Sequence, residues 1–420
     1  MTPPLPGRPL RRRSLLLGAA TAAALAGCDS TGTSASSGAS TSTASSPAGS
    51  ATAPTTPSHS ASPTPSEAAI AATTTGAADG ISLDGWTLEQ KVGQLLMVGV
   101  DAGSTTAPSR YVTELHVGGV FLSGRSSRGD AATKSLVDSL QALVTEDSTH
   151  GSRLLVSTDQ EGGNVQVLSG PGFSTMPTAL TQASSGAEAL RASATTWGAE
   201  LASAGVTMNL APDADLVDIA DPTSNEPIGQ WKREYGHDAA IVTECAGAFA
   251  AGMGASGVIP TFKHFPGLGR VTQNTDIASG VTDTVTDRDD AAVGIFRDLI
   301  AEGTCAVMAS SADYSLIDAG TPACFSSVII TDLLRGDLGF QGVVITDDVA
   351  AAVQVSDWTP GDRAVSAVRA GCDIVLAAAD ASVADAMAAA LLEEAKADDA
   401  FAAQVDASVR RVLALKATLG

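Results

Sequence analysis

The chain has 420 residues, 44% of them hydrophobic, and a formal charge of −22. That length holds one large domain or two ordinary ones, and the acidity argues against a nucleic-acid binder, which needs a basic footprint. An acidic surface suits a soluble exported enzyme, or merely solubility.

The chain opens as an export signal. Arg11, Arg12 and Arg13 form a basic cluster ahead of an apolar stretch from Leu15 to Ala24. That stretch is too short to cross a bilayer core of about 30 Å, which takes roughly 20 helical residues. The sequence Leu25-Ala26-Gly27-Cys28 then resembles the bacterial lipoprotein cleavage box. Residues 1–27 are therefore expected to be removed as a lipoprotein signal peptide and Cys28 to carry lipid. The alternative is an ordinary secretory peptide with a chance cysteine. The arginines leave Sec and Tat export both open, and stable anchoring would take more than one acyl chain. Residues 28–80 are nearly all Ser, Thr, Ala, Pro and Gly, without periodicity. Such a segment cannot bury enough apolar surface to offset its ordering entropy, so it reads as a disordered tether.

Residues 81–420 read as one folded domain. Apolar, β-rich runs recur at 94–100, 117–122, 154–159, 206–212, 257–265, 305–311, 342–348 and 372–379. Their continuous rather than alternating character fits parallel strands buried on both faces. Helical stretches such as 188–205 and 382–398 lie among or after them. Eight such β–α repeats predict a (β/α)8 TIM-like barrel, with an open doubly wound sheet as runner-up. No Gly-x-Gly-x-x-Gly turn opens the first unit, which counts against a dinucleotide site. Cys245, Cys305, Cys324 and Cys372 have no zinc-type spacing. Cys305 with Cys324 is the disulfide pairing nearest in sequence, and buried thiols are the other reading.

A barrel carries its active site at the C-terminal ends of its strands. The third run ends in Asp159, followed by Gln160-Glu161-Gly162-Gly163; the fourth is followed by Asp213. The fifth ends in Lys263 and His264, and the seventh in Asp347 and Asp348. Charge delivered to one rim by four strands predicts a polar pocket. Adjacent strand residues point to opposite faces, so one of Asp347 and Asp348 should enter the pocket while the other needs a partner elsewhere.

Six ordered segments carry a family resemblance: LEQKVGQLLMVG (88–99), STDQEGGNVQVL (157–168), MNLAPDADL (208–216), IGQWKREYG (228–236), FKHFPGLG (262–269) and LLRGDLGFQGVVITDD (333–348). Together they resemble the N-terminal barrel domain of glycoside hydrolase family 3, nearest its bacterial β-N-acetylglucosaminidase branch. The resemblance implies a retaining glycosidase with Asp347 as nucleophile. It implies sugar contacts from Asp159, Lys263, His264 and Arg233, the last shifted by two extra residues within 228–236. A carboxylate such as Asp159 can accept two hydroxyl bonds at once, which suits a diol. Glu161 reads as a brace for its loop. Trp231 and Tyr235 are open to either sugar stacking or core packing.

One family feature is missing. In the branch, an Asp-Ser-His on the loop after the fifth strand supplies the general acid/base; here that triplet is Asn274-Thr275-Asp276. A second family histidine, after the sixth strand, is replaced by Ser311. Asp276 stands in the histidine's place and is the only acid between Lys263 and Gly280. A carboxylic acid can donate the proton where burial or a neighbouring carboxylate raises its pKa. Asp276 is therefore the expected acid/base, on a loop expected to close over substrate.

The resulting expectation is an exported, membrane-anchored hydrolase that removes terminal β-N-acetylglucosamine from cell-wall fragments or related amino-sugar oligomers. A β-glucosidase or β-xylosidase is one alternative, and a catalytically weakened glycan-binding barrel is another. No cofactor or metal is expected, since no cluster has ligand spacing.

Overall fold

The computed structural model describes residues 78 and 80–419. The expected signal peptide (1–27), Cys28 and the tether through residue 77 lie outside the described residues.

Eight parallel strands close into a barrel: β1 (Leu96–Asp101), β2 (Gly119–Ser123), β3 (Leu155–Thr158), β4 (Met208–Asn209), β5 (Ile259–Phe265), β6 (Ala306–Ala309), β7 (Val343–Asp348) and β8 (Ile374–Ala377). Each strand pairs with its sequence neighbours, and β1 closes on β8 through Leu96 opposite Val375. All eight runs read from the sequence became barrel strands, and the open sheet is excluded. The fourth run shrank most, because Pro212 has no N–H to donate to a ladder.

Strand alternation divides the core in two. Met97, Leu155, Ile259, Val343, Ile345 and Ile374 point inward and share one apolar cluster. Val98, Val156, Val344 and Val375 point outward against the helices. The inward set is capped from below by the helix Asp399–Ala417, whose Val412 and Leu415 join the interior cluster. The barrel is thus a filled core, with its floor closed by a helix that follows every strand.

The outer helices start where side chains satisfy their first N–H groups. Asp238, Asp290, Thr359 and Asp398 each accept a backbone N–H at a helix start. Such a cap is worth about 1 kcal/mol. Pro360 and Gly371 bracket the helix Pro360–Ala370, fitting a fixed φ at its start and a left-handed φ of 114° just past its end. The four expected cysteines are buried free thiols, so no Cys305–Cys324 disulfide forms. No helix among the described residues is long and apolar enough to cross a membrane.

Candidate active site

The inward faces of three strands run on into charged residues. Leu155, Ser157 and Asp159 share one face near β3; Ile259, Thr261 and Lys263 share one on β5; Val343, Ile345 and Asp347 share one on β7. The period of two that packs the barrel therefore also aims these groups into its mouth. Asp159, Arg233, Lys263, His264, Asp276 and Asp347 all line one cavity of about 760 Å3. Its floor includes Phe121, Leu210, Met308 and Leu376 from the interior cluster.

Asp347 and Asp348 both line the cavity, against the expectation that only one would, but their hydrogen bonds divide them. Asp347 Oδ1 accepts the Asp348 backbone N–H at 2.8 Å. Asp348 accepts backbone N–H groups from Ala350, Ala378 and Ala379 at 3.0, 2.9 and 2.9 Å. Bonds to a charged acceptor are worth about 1.5–3 kcal/mol each, so Asp348 is fixed as a brace between the ends of β7 and β8.

Two cations reach the pocket through a buried acid. Arg233 grips Glu161 with two bonds, Nε to Oε2 at 2.9 Å and Nη2 to Oε1 at 2.8 Å. Lys263 Nζ bonds Asp159 Oδ1 at 2.9 Å and also reaches Glu161. Burial alone would raise the Glu161 pKa, but Arg233 and Lys263 outweigh it and hold the group at about 2. Glu161 braces more than its own loop: it neutralises and orients both cations.

His264 is held by an acid that sequence reading passed over. Its Nδ1 lies 2.7 Å from Asp215 Oδ2. Asp215 Oδ1 accepts the backbone N–H groups of His264 and Leu268. With Nδ1 engaged, Nε2 is the ring nitrogen left for a ligand. Asp213 Oδ2 is buried without a hydrogen-bond partner, 3.7 Å from Arg233 Nη2. Burial, then the Asp215 charge, pushes its pKa well above the ordinary value, while Arg233 pulls it down. Asp213, Asp215 and His264 bring possible metal-ligand atoms within 4.8 Å of one another. Two features oppose a metal there: the Asp215–His264 hydrogen bond occupies two of those atoms, and Arg233 already supplies positive charge.

The Gly-Leu-Gly turn explains itself in packing. Gly267 has φ 138°, and a Cβ on Gly269 would sit 2.0 Å from the Leu216 carbonyl oxygen. Beyond it, Asn274 Oδ1 accepts the Asp276 backbone N–H at 2.9 Å. Asp276 is open to the cavity, yet the walls around it displace bulk water. Burial first, then the negative charge of Asp348, raises its pKa, while Arg233, His264 and Asn274 pull the other way. The Asp347 pKa is also raised, by burial and by the charge of Asp276. The loop already stands at the cavity, pinned to its neighbours by backbone bonds, and needs no closing movement to bring Asp276 there.

Further lining residues went unnoticed in the sequence. Arg125, just past β2, bonds the Asn164 carbonyl at 2.5 Å and lines the cavity with it. The rule applied to other strand ends would have found it. Asp215 carried the same signal two residues after Asp213. Trp231 lines the cavity at 45% exposure, which rules out core packing, whereas Tyr235 is buried and bonds Gln182. Ser311 is buried, its hydroxyl without a partner.

Comparison with known proteins agrees with this geometry. Residues 87–415 match the Glycosyl hydrolase family 3 N terminal domain. A Beta-N-acetylhexosaminidase from Beutenbergia cavernae has a similar structure, with 55% identity, a TM-score of 0.78, and coverage of 79% of this chain and 98% of that one. A glycoside hydrolase family 3 beta-N-acetylglucosaminidase from Paenibacillus is 33% identical with a TM-score of 0.72, covering 79% and 62% of the two chains. The Beta-hexosaminidase LpqI of Mycobacterium tuberculosis is 30% identical over 78% of this chain and 82% of that protein. The barrel, the acids at its strand ends and the match across nearly all of its length lead to one assignment: this chain belongs to glycosyl hydrolase family 3 and is a glycoside hydrolase.

Proposed function

We propose that this hydrolase removes terminal β-N-acetylglucosamine from cell-wall fragments or related amino-sugar oligomers with retention of configuration. Asp347 is the nucleophile and Asp276 the general acid/base. The carrying observation is that both acids line one cavity while, among the described residues, neither is paired with a cation. Similarity to the Beutenbergia and Paenibacillus enzymes supports the sugar.

In the first step an Asp347 carboxylate oxygen attacks the anomeric carbon. The glycosidic C–O bond breaks as Asp276 passes its proton to the leaving oxygen. In the second, Asp276 takes a proton from water, whose oxygen displaces Asp347 from the anomeric carbon. Asp159 accepts sugar hydroxyls, with Lys263, His264 and Arg233 around it. Glu161 and Asp215 hold those cationic and imidazole groups in place before substrate arrives.

The test is hydrolysis of a chromogenic β-N-acetylglucosaminide by purified enzyme, beside the matching β-glucoside. Preference for the acetylated sugar, with β-configured sugar as first product by NMR, supports the reading. Turnover of the glucoside alone favours the β-glucosidase alternative, and no turnover of either favours a glycan-binding barrel.

The same proposal places the enzyme outside the cytoplasm, held at the membrane through lipid on Cys28. Similarity to a protein of Arthroderma benhamiae described as a secreted glycosyl hydrolase (32% identity over 82% of this chain and 96% of that one) supports export. Cys28→Ser should move the protein from the membrane fraction to the soluble one. Membrane retention of the variant would refute the anchor.

A further inference from the structure

The loop that carries Asp276 is tied to the loop that follows Asp347. A short helical turn, Val353–Val355, lies beyond the end of β7. From it, the Gln354 backbone N–H bonds the Thr275 carbonyl at 3.0 Å, and the Val353 N–H bonds the Asp276 carbonyl at 3.2 Å. The Gln354 side chain completes the tie. Its Oε1 accepts the Val281 N–H at 2.9 Å, and its Nε2 donates to the Val281 carbonyl at 3.1 Å. Gln354 is 7% exposed, so water does not compete for these bonds.

The side-chain amide thus pairs with the N–H and C=O of one residue as a neighbouring strand would, one donor against one acceptor. No other residue of this reach offers both groups: methionine offers neither, glutamate loses the donor as a carboxylate, and asparagine is a methylene shorter. The tie acts beside two other holds on the loop: the Asn274 N–H bonds Glu226 at 3.2 Å, and Ala278 packs against the core. Ile277, next to Asp276, is 73% exposed and packs against nothing that would fix the turn. The inner side is held by Asn274 Oδ1 and by the Asn274 carbonyl, which bond only within the turn itself.

We infer that Gln354 is a positioning residue: it fixes the Asp276 carboxyl at the reach from Asp347 that proton transfer to the leaving oxygen requires. This rests on the assignment of Asp276 as acid/base. A displaced acid harms only steps that need its proton. Glycosides with a strongly acidic leaving group depart without that help, whereas alkyl glycosides do not.

The test compares the full chain with Gln354→Met and Asp276→Ala on two β-N-acetylglucosaminides, one with a methyl and one with a 2,4-dinitrophenyl leaving group. In Asp276→Ala, cleavage of the methyl glycoside is expected to fall roughly 100-fold or more, with glycosylation by the dinitrophenyl substrate far less affected. Gln354→Met should show the same selectivity, losing about tenfold on the methyl glycoside and staying within about twofold on the activated one. Equal losses on both substrates, or none on either, would overturn the positioning role while leaving Asp276 its own. Absence of selectivity in Asp276→Ala itself would overturn the acid assignment and this inference with it. Should Gln354→Met fail to fold, Gln354→Glu, which keeps an acceptor for Val281, is judged by the same criteria.

Discussion

Asp347 and Asp348 are adjacent in the chain, joined by a 2.8 Å bond from the Asp348 N–H to Asp347 Oδ1, yet they face different tasks. Asp348 spends its oxygens on three backbone N–H groups, which leaves Asp347 to meet substrate. Asp347→Asn should cut kcat by at least roughly a thousandfold without lowering Tm, the scale on which loss of a covalent nucleophile acts. Asp348→Ala should instead lower Tm, since it strands those N–H groups between β7 and β8. A mass shift on the Asp347 peptide after reaction with a slow-releasing fluorinated glycoside checks the assignment directly.

The pH profile follows from the same pair. Activity needs Asp347 ionised and Asp276 protonated, one proton shared between two interacting acids. Burial raises both above the ordinary aspartate value, and the Asp276 charge raises Asp347 further. A bell-shaped kcat/KM is expected, both limbs lying above the range of a free aspartate. On the activated substrate, Asp276→Ala should erase the basic limb. Its acid limb should stay near that of the wild type, because Asp276 is neutral there and the burial that raises Asp347 remains. A basic limb that survives in Asp276→Ala would contradict the assignment of that limb to Asp276.

Glu161→Gln tests the brace beneath the pocket. The change leaves Arg233 and Lys263 buried beside a neutral group, so stability at pH 7 should fall by about 3–5 kcal/mol. The folded pKa is depressed, from 4.5 to about 2. Its contribution is therefore full above 4.5 and is lost as pH falls toward 2. Chemical denaturation at several pH values should show the gap between the two proteins closing over that window.

Trp231 exposes 45% of its surface at the cavity. An aromatic face against a sugar ring is worth about 0.5–1.5 kcal/mol, so Trp231→Ala should raise KM for an oligosaccharide by about three- to tenfold. Tm should hardly move, because the ring supports no core. An unchanged KM would remove Trp231 from the binding surface.

Much of this could be read from sequence because two physical signals were strong. Continuous apolar runs marked all eight strands, and their polar ends marked Asp159, Lys263, His264 and Asp347. Partnerships across the barrel were not readable. Arg233 and Lys263 were expected as sugar contacts, but only the fold shows Glu161 between them. Asp215 could not be matched to His264 while strand spacing was unknown. The Asp276 loop, bounded by Gly267, Gly269 and Gly280, was expected to close over substrate. Gly269 instead answers a close approach to Leu216, and the anchoring Gln354 lies on another loop, distant in sequence.

The helix Asp399–Ala417 has a consequence for how the molecule comes into being. Val412 and Leu415 fill the floor of a barrel whose strands all precede them, and Arg411 pairs with Asp373 just ahead of β8 at 2.9 Å. During synthesis, every strand emerges while that floor is still open to water. Closure must therefore wait for the final helix, so the barrel should gain its protease resistance late and in one step. A chain stopped just after β8 would hold every proposed catalytic group and still lack the plug that keeps its interior dry.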